Sequence, residues 1–291
     1  MASRRVGLIG AGLMGHGMAA NLLKHGHEVT VLAHRNRAPV DDLIARGAKE
    51  AAHHAHLAHQ SDILIVCVST AEVVAATIAA LRPGLRRGHI ILDAGTTDPA
   101  TTRAHAQALK ALGVAYADIP LTGGPEQAEK AELGVLCGAE PETFKTIEPL
   151  LRCFATTIRH FGPPGAGHTA KLISNYLVTG IAALVAESFQ AARAAGIDWR
   201  NLYDVMQNGS GNSGVLRKMV GPALEGDMEG YRFAIANAAK DITYYAHLAD
   251  QLGRKTSLTE AVVETYTQAL AKGAGDRNVS HLLDPSMDPA I

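Results

Sequence analysis

The stretch Gly10-Ala11-Gly12-Leu13-Met14-Gly15 constrains this chain more than any other part of it. A short apolar run, Val6-Gly7-Leu8-Ile9, leads into it, and a segment of helical character, Met14 to His25, leads out. A second strand-like run, Glu28 to Leu32, then arrives at the distance that a βαβ unit requires. In such a turn the first glycine allows the sharp bend. The second lets a phosphate approach the backbone, and the third lets helix and strand pack closely. The unbonded N–H groups at the start of the helix then face the anion. Gly10, Gly12, Leu13, Met14 and Gly15 are therefore read as a pyrophosphate loop. A glycine-rich turn without a ligand would not need the strand and helix that flank it.

The pattern continues as an alternation of strands and helices. Ile63 to Val68 is apolar throughout, as a parallel strand covered on both faces should be. A helix around Glu72 to Leu81, a strand at His89 to Leu92 and a helix from Pro99 to Leu112 follow, then strand candidates at Val114 to Ile119 and Gly134 to Cys137. Alternation of this kind predicts an α/β fold, a Rossmann doubly wound parallel sheet. It stops at Phe161-Gly162-Pro163-Pro164-Gly165-Ala166-Gly167, the densest Pro/Gly cluster in the chain. Helical segments follow at Thr169 to Ala195, Asp198 to Gln207, Ala236 to Leu252 and Leu258 to Lys272. The expected organisation is a dinucleotide-binding domain over residues 1–163 and an all-α C-terminal domain, for substrate and dimerisation, over residues 164–291.

Composition excludes several classes. The 291 residues carry a net charge of −1, which argues against a nucleic-acid or membrane-surface binder. Cys67, Cys137 and Cys153 form no CxxC pair, so a disulfide framework is not expected and a reducing, cytoplasmic compartment fits. Val6 to Ile9 is too short for a signal-peptide core. The apolar stretch Tyr176 to Ala186 is about half of a membrane span and reads as a buried helix.

The second strand usually ends in an acid that holds the ribose hydroxyls of NAD. Here it is followed by Ala33-His34-Arg35-Asn36-Arg37, and no acid comes before Asp41. Guanidinium groups suit a 2′-phosphate by charge and fork geometry, so His34, Arg35 and Asn36 are expected to contact the cofactor and NADP is expected over NAD. The competing reading is that both arginines are solvated loop residues.

At this point the chain resembles the β-hydroxyacid dehydrogenase family, which includes 3-hydroxyisobutyrate dehydrogenase, tartronate semialdehyde reductase and glyoxylate/succinic semialdehyde reductases. The resemblance rests on ordered motifs over nearly the whole chain. These are Gly7 to Gly15, Asp93-Ala94-Gly95-Thr96-Thr97-Asp98-Pro99, Asp118-Ile119-Pro120-Leu121-Thr122-Gly123-Gly124, Gly165 to Asn175, and Lys240-Asp241. It implies Lys171 as catalytic acid/base and Asn175 as the residue that orients the substrate. Thr122, Gly123 and Gly124 would hold the substrate carboxylate, and Val68, Ser69, Thr96 and Lys240 would contact the cofactor or close the site. Four departures concern the substrate. Thr122 stands where the family usually has Ser, Gly95 where it has Ser, Ala131-Glu132-Leu133 where a Gly precedes a Thr-Leu pair, and Tyr176 follows Asn175 where a second Asn is common.

The chemistry is consistent with these residues. Hydride transfer to a carbonyl creates an alkoxide, which an ammonium can protonate. Asn175 follows Lys171 at i+4 on one helix face. Glycine N–H groups and a hydroxyl make a reasonable carboxylate nest, though the same string is also an ordinary turn. Asp118 is expected to be a turn or helix-cap carboxylate, and His168 to tune the lysine or line the mouth of the site. His53, His54, His56 and His59 lie close together, but no Cys or paired carboxylate completes a ligand set, and no metal is expected. The expected activity is an NAD(P)-dependent interconversion of a small 3-hydroxy acid and its semialdehyde. An imine reductase, against which Lys171 speaks, and an inactive NADP-binding interaction module are the alternatives. A homodimer or homotetramer is expected through the long apolar helix around Thr169 to Ala195. Substrate choice would rest on Asn208 to Ser213, Phe233 and Asn237.

Overall fold

The computed structural model describes residues 3–34 and 36–288. Its elements run, in order, β1 (Arg5–Ile9), α1 (Leu13–Lys24), β2 (Glu28–Leu32), α2 (Ala38–Ala45), β3 (Lys49–Glu50), α3 (His54–Gln60), β4 (Ile63–Val66), α4 (Ala71–Leu81), β5 (Ile90–Asp93) and α5 (Pro99–Lys110). There follow β6 (Ala115–Asp118), β7 (Leu121–Thr122), α6 (Pro125–Glu129), β8 (Leu133–Gly138), α7 (Pro141–Leu151) and β9 (Ala155–Gly162). The rest is helical: α8 (Ala166–Ala194), α9 (Trp199–Asn208), α10 (Gly214–Ala223), α11 (Ile235–Gln251) and α12 (Ser257–Ala271). The chain divides into two compact units, Met1–Lys171 and Leu172–Ile291.

The first unit is built on one nine-stranded sheet among the described residues, in the order β3-β2-β1-β4-β5-β6-β8-β7, with β9 beside β8. From β3 to β6 every pairing is parallel. β8 runs antiparallel to β6 and β7 and parallel to β9. The order reverses between β1 and β4, which places a crevice at their carboxyl ends, where doubly wound sheets take ligands. β4 is buried at all four positions because helices cover both faces. On one face Leu8, Met18, Leu22, Val31 and Ile65 join a core that runs on to Phe154, and on the other Leu57, Leu64, Val74, Leu81 and Ile91 form a second. Helix starts follow local chemistry. Thr70 caps α4 and Asp98 caps α5, each accepting a backbone N–H, and Pro99 occupies the first turn of α5 where no donor is needed.

The second unit packs its helices around Ala182, Phe189, Met219, Ile235, Ile242 and Tyr266. The Tyr266 hydroxyl donates to the Thr179 carbonyl at 3.0 Å, which satisfies its polar end inside that core. By length and composition α8 is apolar enough to cross a membrane, but 44% of its apolar window is buried within the protein. Its buried Asn175 and Thr179 are hydrogen-bonded to neighbouring groups.

The first six strand positions expected from the sequence are present, as are the long C-terminal helices. β3, β7, α6, α7, β9 and α10 were not read from the sequence. The division into units falls at 171/172 rather than at the expected 163/164. The Pro/Gly cluster ends β9, but the first turn of α8 is hydrogen-bonded to Asp118 and so stays with the sheet.

Ala131 has φ of 60°, the left-handed region. That conformation costs an L-residue about 1–2 kcal/mol, whereas glycine adds about 0.4–1 kcal/mol of unfolded-state entropy. Ala131→Gly is therefore expected to stabilise the protein by about 0.5–1 kcal/mol. A thermal melt should show a rise of about 1–3 °C; an unchanged or lower midpoint would contradict the strain.

Candidate active site

The glycine loop has the geometry its sequence demands. Gly10 has φ of +92°, and a Cβ there would stand 2.0 Å from the Cys67 carbonyl oxygen at the end of β4. A Cβ on Gly15 would stand 2.0 Å from the Gly10 carbonyl oxygen. Both positions are closed to any side chain. Gly12 is different, since a Cβ there would meet nothing within 4 Å. It precedes α1 with no side-chain cap, so open space lies at the start of a helix whose first N–H groups lack intrahelical partners. That is the fit a pyrophosphate needs. Leu13 is exposed and Met14 half-buried beside it.

The loop after β2 differs from expectation. Arg35 lies outside the described residues. His34 and Asn36 are exposed, and the Asn36 side chain accepts from the Ala38 N–H at 3.1 Å. The Arg37 guanidinium, expected to face a 2′-phosphate, is held by Glu50 through two 3.0 Å hydrogen bonds and by Asp41 through a third of 3.0 Å. These contacts raise its already high pKa. It is thereby directed to β3 and α2.

Val68 and Ser69 follow β4, and the Val68 carbonyl oxygen would be 2.8 Å from a Cβ on Gly95. Glycine at 95 is thus a packing requirement. The Gly95 N–H is fixed by Asp93 at 3.0 Å, and Asp93 in turn takes the Tyr116 hydroxyl at 2.8 Å. Thr96, next along, is half-buried.

Asp118 ends β6 and is fully buried. One carboxylate oxygen accepts the Gly165 N–H at 2.7 Å and the other the His168 N–H at 2.6 Å. It is the capping carboxylate of the helix that carries Lys171. Burial pushes its pKa up, against the pull of the nearby His168 and the two backbone donors. Cβ atoms on Gly138 or Gly167 would come within 2.4 Å and 2.8 Å of its oxygens, so glycines make the room it occupies. His168 is also buried, with Nδ1 at 2.8 Å from the Thr102 hydroxyl and 3.1 Å from that of Thr97. It anchors the first turn of α8 to α5, where the sequence reading had it tuning the lysine or lining the mouth of the site. Lys171, three residues on, is half-buried.

Four residues past Asp118 comes the Thr122-Gly123-Gly124 turn. The Thr122 hydroxyl lies over Gly134, whose missing side chain leaves it 2.2 Å from where a Cβ would be. Of the N–H groups expected to line a carboxylate nest, that of Gly124 is taken by the Gln127 side chain at 2.9 Å.

In the helical unit, Asn175 is buried and its amide donates to Asp241 at 2.6 Å. The other Asp241 oxygen is 2.9 Å from the Lys240 ammonium, which also lies 5.3 Å above the Tyr244 ring. Asp241 is 3% exposed and so fixes both residues with little solvent screening. The sequence reading took Lys240-Asp241 as a pair and missed that Asp241 orients Asn175, because the partners are 66 residues apart. The clustered histidines fall on α3 and its cap, where the His53 ring accepts the His56 N–H at 3.2 Å. No group of three potential metal ligands occurs among the described residues.

The chain matches known proteins over nearly its whole length. Residues 5–162 match the NAD binding domain of 6-phosphogluconate dehydrogenase, and residues 165–286 match the NAD-binding domain of NADP-dependent 3-hydroxyisobutyrate dehydrogenase. The 2-(hydroxymethyl)glutarate dehydrogenase of Eubacterium barkeri is 28% identical over 97% of this chain and 94% of its own. A 3-hydroxyisobutyrate dehydrogenase from Salmonella typhimurium superposes with a TM-score of 0.85 at 28% identity, covering 97% of this chain and 99% of that one. Psf3 in complex with NADP+ and 2-OPP superposes with a TM-score of 0.81 at 25% identity, covering 96% and 98%.

Asp118→Asn keeps one acceptor and turns an amide N–H toward a backbone N–H. A loss of about 1–3 kcal/mol in folding stability is expected, read as a lowered denaturation midpoint. A midpoint equal to that of the unsubstituted protein would show that the cap carries no energy.

Proposed function

Since the chain belongs to the β-hydroxyacid dehydrogenase family of NAD(P)-dependent oxidoreductases, we propose that it reduces a small semialdehyde acid to its 3-hydroxy acid, with Lys171 as the proton donor. The observation that carries this reading is the double role of Asp118. It ends the strand that leads to Thr122-Gly123-Gly124, and it caps the helix on which Lys171 stands one turn further on. The carboxylate loop and the lysine are thus tied to one buried group.

A bound nicotinamide dinucleotide supplies the hydride. Gly10 to Gly15 bind its pyrophosphate. The Thr122 hydroxyl and the Gly123 N–H hold the substrate carboxylate, while the Lys171 ammonium protonates the carbonyl oxygen as it gains charge. In the oxidative direction the neutral amine takes the proton back. Asn175, its amide held by Asp241, orients the substrate hydroxyl, and the same carboxylate holds the Lys240 ammonium. NADP is the preferred cofactor. Support comes from the absence of an acid between Leu32 and Asp41 and from Arg35, and from the matching domain of an NADP-dependent dehydrogenase. With Arg37 bound to Glu50 and Asp41, Arg35 is the guanidinium assigned to the phosphate.

Three unpaired cysteines agree with a reducing cytoplasmic setting. On α8, Ile173, Leu177 and Leu184 are 52%, 65% and 58% exposed and share one face. A second copy of this chain is the partner that face fits, giving a homodimer or a tetramer built from dimers.

Tartronate and methylmalonate semialdehydes, whose reduction gives 3-hydroxy acids, form the test panel, with glyoxylate and succinic semialdehyde, which give a 2-hydroxy and a 4-hydroxy acid, run beside them for comparison. Oxidation of NADPH by at least one is expected, with kcat/KM for NADPH exceeding that for NADH by about tenfold or more, as a charge-assisted phosphate contact supplies. Tight cofactor binding without turnover of any would turn the assignment toward an imine substrate or a non-catalytic module. Sedimentation should show a dimer or tetramer that Leu177→Glu dissociates; a monomeric parent protein would remove the assembly.

A further inference from the structure

His16 follows the glycine loop by one residue, and its side chain is 17% exposed. Its Nδ1 is 2.7 Å from Glu129 Oε1 on α6, and its Nε2 is 2.7 Å from Asp42 Oδ2 on α2. Both ring nitrogens face carboxylate oxygens, and only the imidazolium has an N–H for each. A neutral ring would set a bare lone pair against one carboxylate. Charge balance points the same way, since one cation stands between two anions. The other charged groups nearby are accounted for. Arg46, at the end of α2, reaches the same Asp42 oxygen at 2.7 Å. Lys24 of α1 lines a cleft with Arg46 and Glu129, and Lys130 is paired with Glu126 at 2.6 Å.

The three helices matter for what precedes them. α1 follows the pyrophosphate loop, α2 follows His34 to Arg37, and α6 follows Thr122-Gly123-Gly124. α6 meets α1 backbone to backbone, since a Cβ on Gly17 would be 2.5 Å from the Ala128 carbonyl carbon. Asn21 reinforces the contact by donating to the carbonyls of Ala128 at 2.9 Å and Glu129 at 3.2 Å. Neither contact titrates near neutral pH, whereas an imidazole does.

We propose that His16 is a positioning residue whose cationic form clasps the substrate-loop helix and the ribose-loop helix onto the cofactor helix, which makes binding of cofactor and substrate proton-linked. This rests on the reading of Gly10–Gly15 and Thr122–Gly124 given above. Burial lowers the imidazole pKa, but the hydrogen bonds to Glu129 and Asp42 outweigh it and leave it raised. Asp42 is lowered, chiefly by its bond to His16. The clasp is therefore complete below the ordinary histidine range and is lost as pH rises through the raised value. At the acid end the Asp42 side of the clasp is lost as that carboxylate protonates, below its ordinary range.

The test compares the unsubstituted protein with His16→Gln, whose amide cannot donate to both carboxylates from two sides and does not titrate. NADPH dissociation constants and the KM of the turned-over semialdehyde acid are measured from acid to alkaline pH, with a thermal melt of each protein as a check on folding. In the unsubstituted protein both constants should rise by about two- to fivefold across the His16 titration, the scale of a lost, partly exposed ion pair. kcat should follow a separate profile. In His16→Gln the constants should already be high at acid pH and lack that step. Curves for His16→Gln that superpose on the parent, or that are flat and low, overturn the clasp. A protein that binds NADPH with no semialdehyde turnover leaves the binding test in force and removes only the assigned substrate. One that binds no nicotinamide dinucleotide overturns both readings.

Discussion

The carboxylate of Asp118 stands at the end of β6 with no solvent around it and takes two backbone N–H groups, those of Gly165 and His168. Both donors belong to the first turn of a helix, where the chain has no partners of its own to offer. Without the carboxylate, these N–H groups would be buried and unsatisfied, at a cost comparable to several surface interactions. The start of α8 is therefore fixed to the sheet, and Lys171 inherits that fixed start. Gly138 and Gly167 are small because Asp118 fills the space that their side chains would need. His168 adds a second attachment through Thr97 and Thr102 on and beside α5.

A similar economy holds in the helical unit. Asp241 is buried beneath Asn175 and Lys240 and sets the direction of an amide and of an ammonium together. In both places a single desolvated carboxylate orients groups from distant parts of the sequence. Low local dielectric makes such bonds stiff, which a site that must present donors at fixed positions requires.

Much of this was legible from residues alone, for identifiable reasons. The glycine loop could be read because steric demands at Gly10 and Gly15 admit no other residue, so the sequence has to state them. The central strands could be read because burial on both faces leaves continuous apolar runs. The segments on either side of β8, from Pro125 to Glu129 and from Pro141 to Gly162, could not. α6 has five residues, and β9 has exposed residues at most of its positions, so neither carries a periodic signal. Arg37 was misdirected because its partner Glu50 sits on the two-residue strand β3, too short to be recognised. The Asn175–Asp241 bond and the His16 contacts join residues far apart in sequence, and only folding brings them together. Ala131 shows the converse, a left-handed conformation that its residue type gives no sign of.

The central claim is that Lys171 protonates the oxygen while the cofactor is held elsewhere, by the glycine loop. Single-turnover oxidation of pre-bound NADPH by a semialdehyde acid separates these two jobs. Lys171→Met should bind NADPH as tightly as the parent and transfer hydride slower by a factor on the order of 10² to 10⁴, the range general acid catalysis supplies. Equal single-turnover rates in the two proteins would contradict the assignment of Lys171 and with it the account of how this site works.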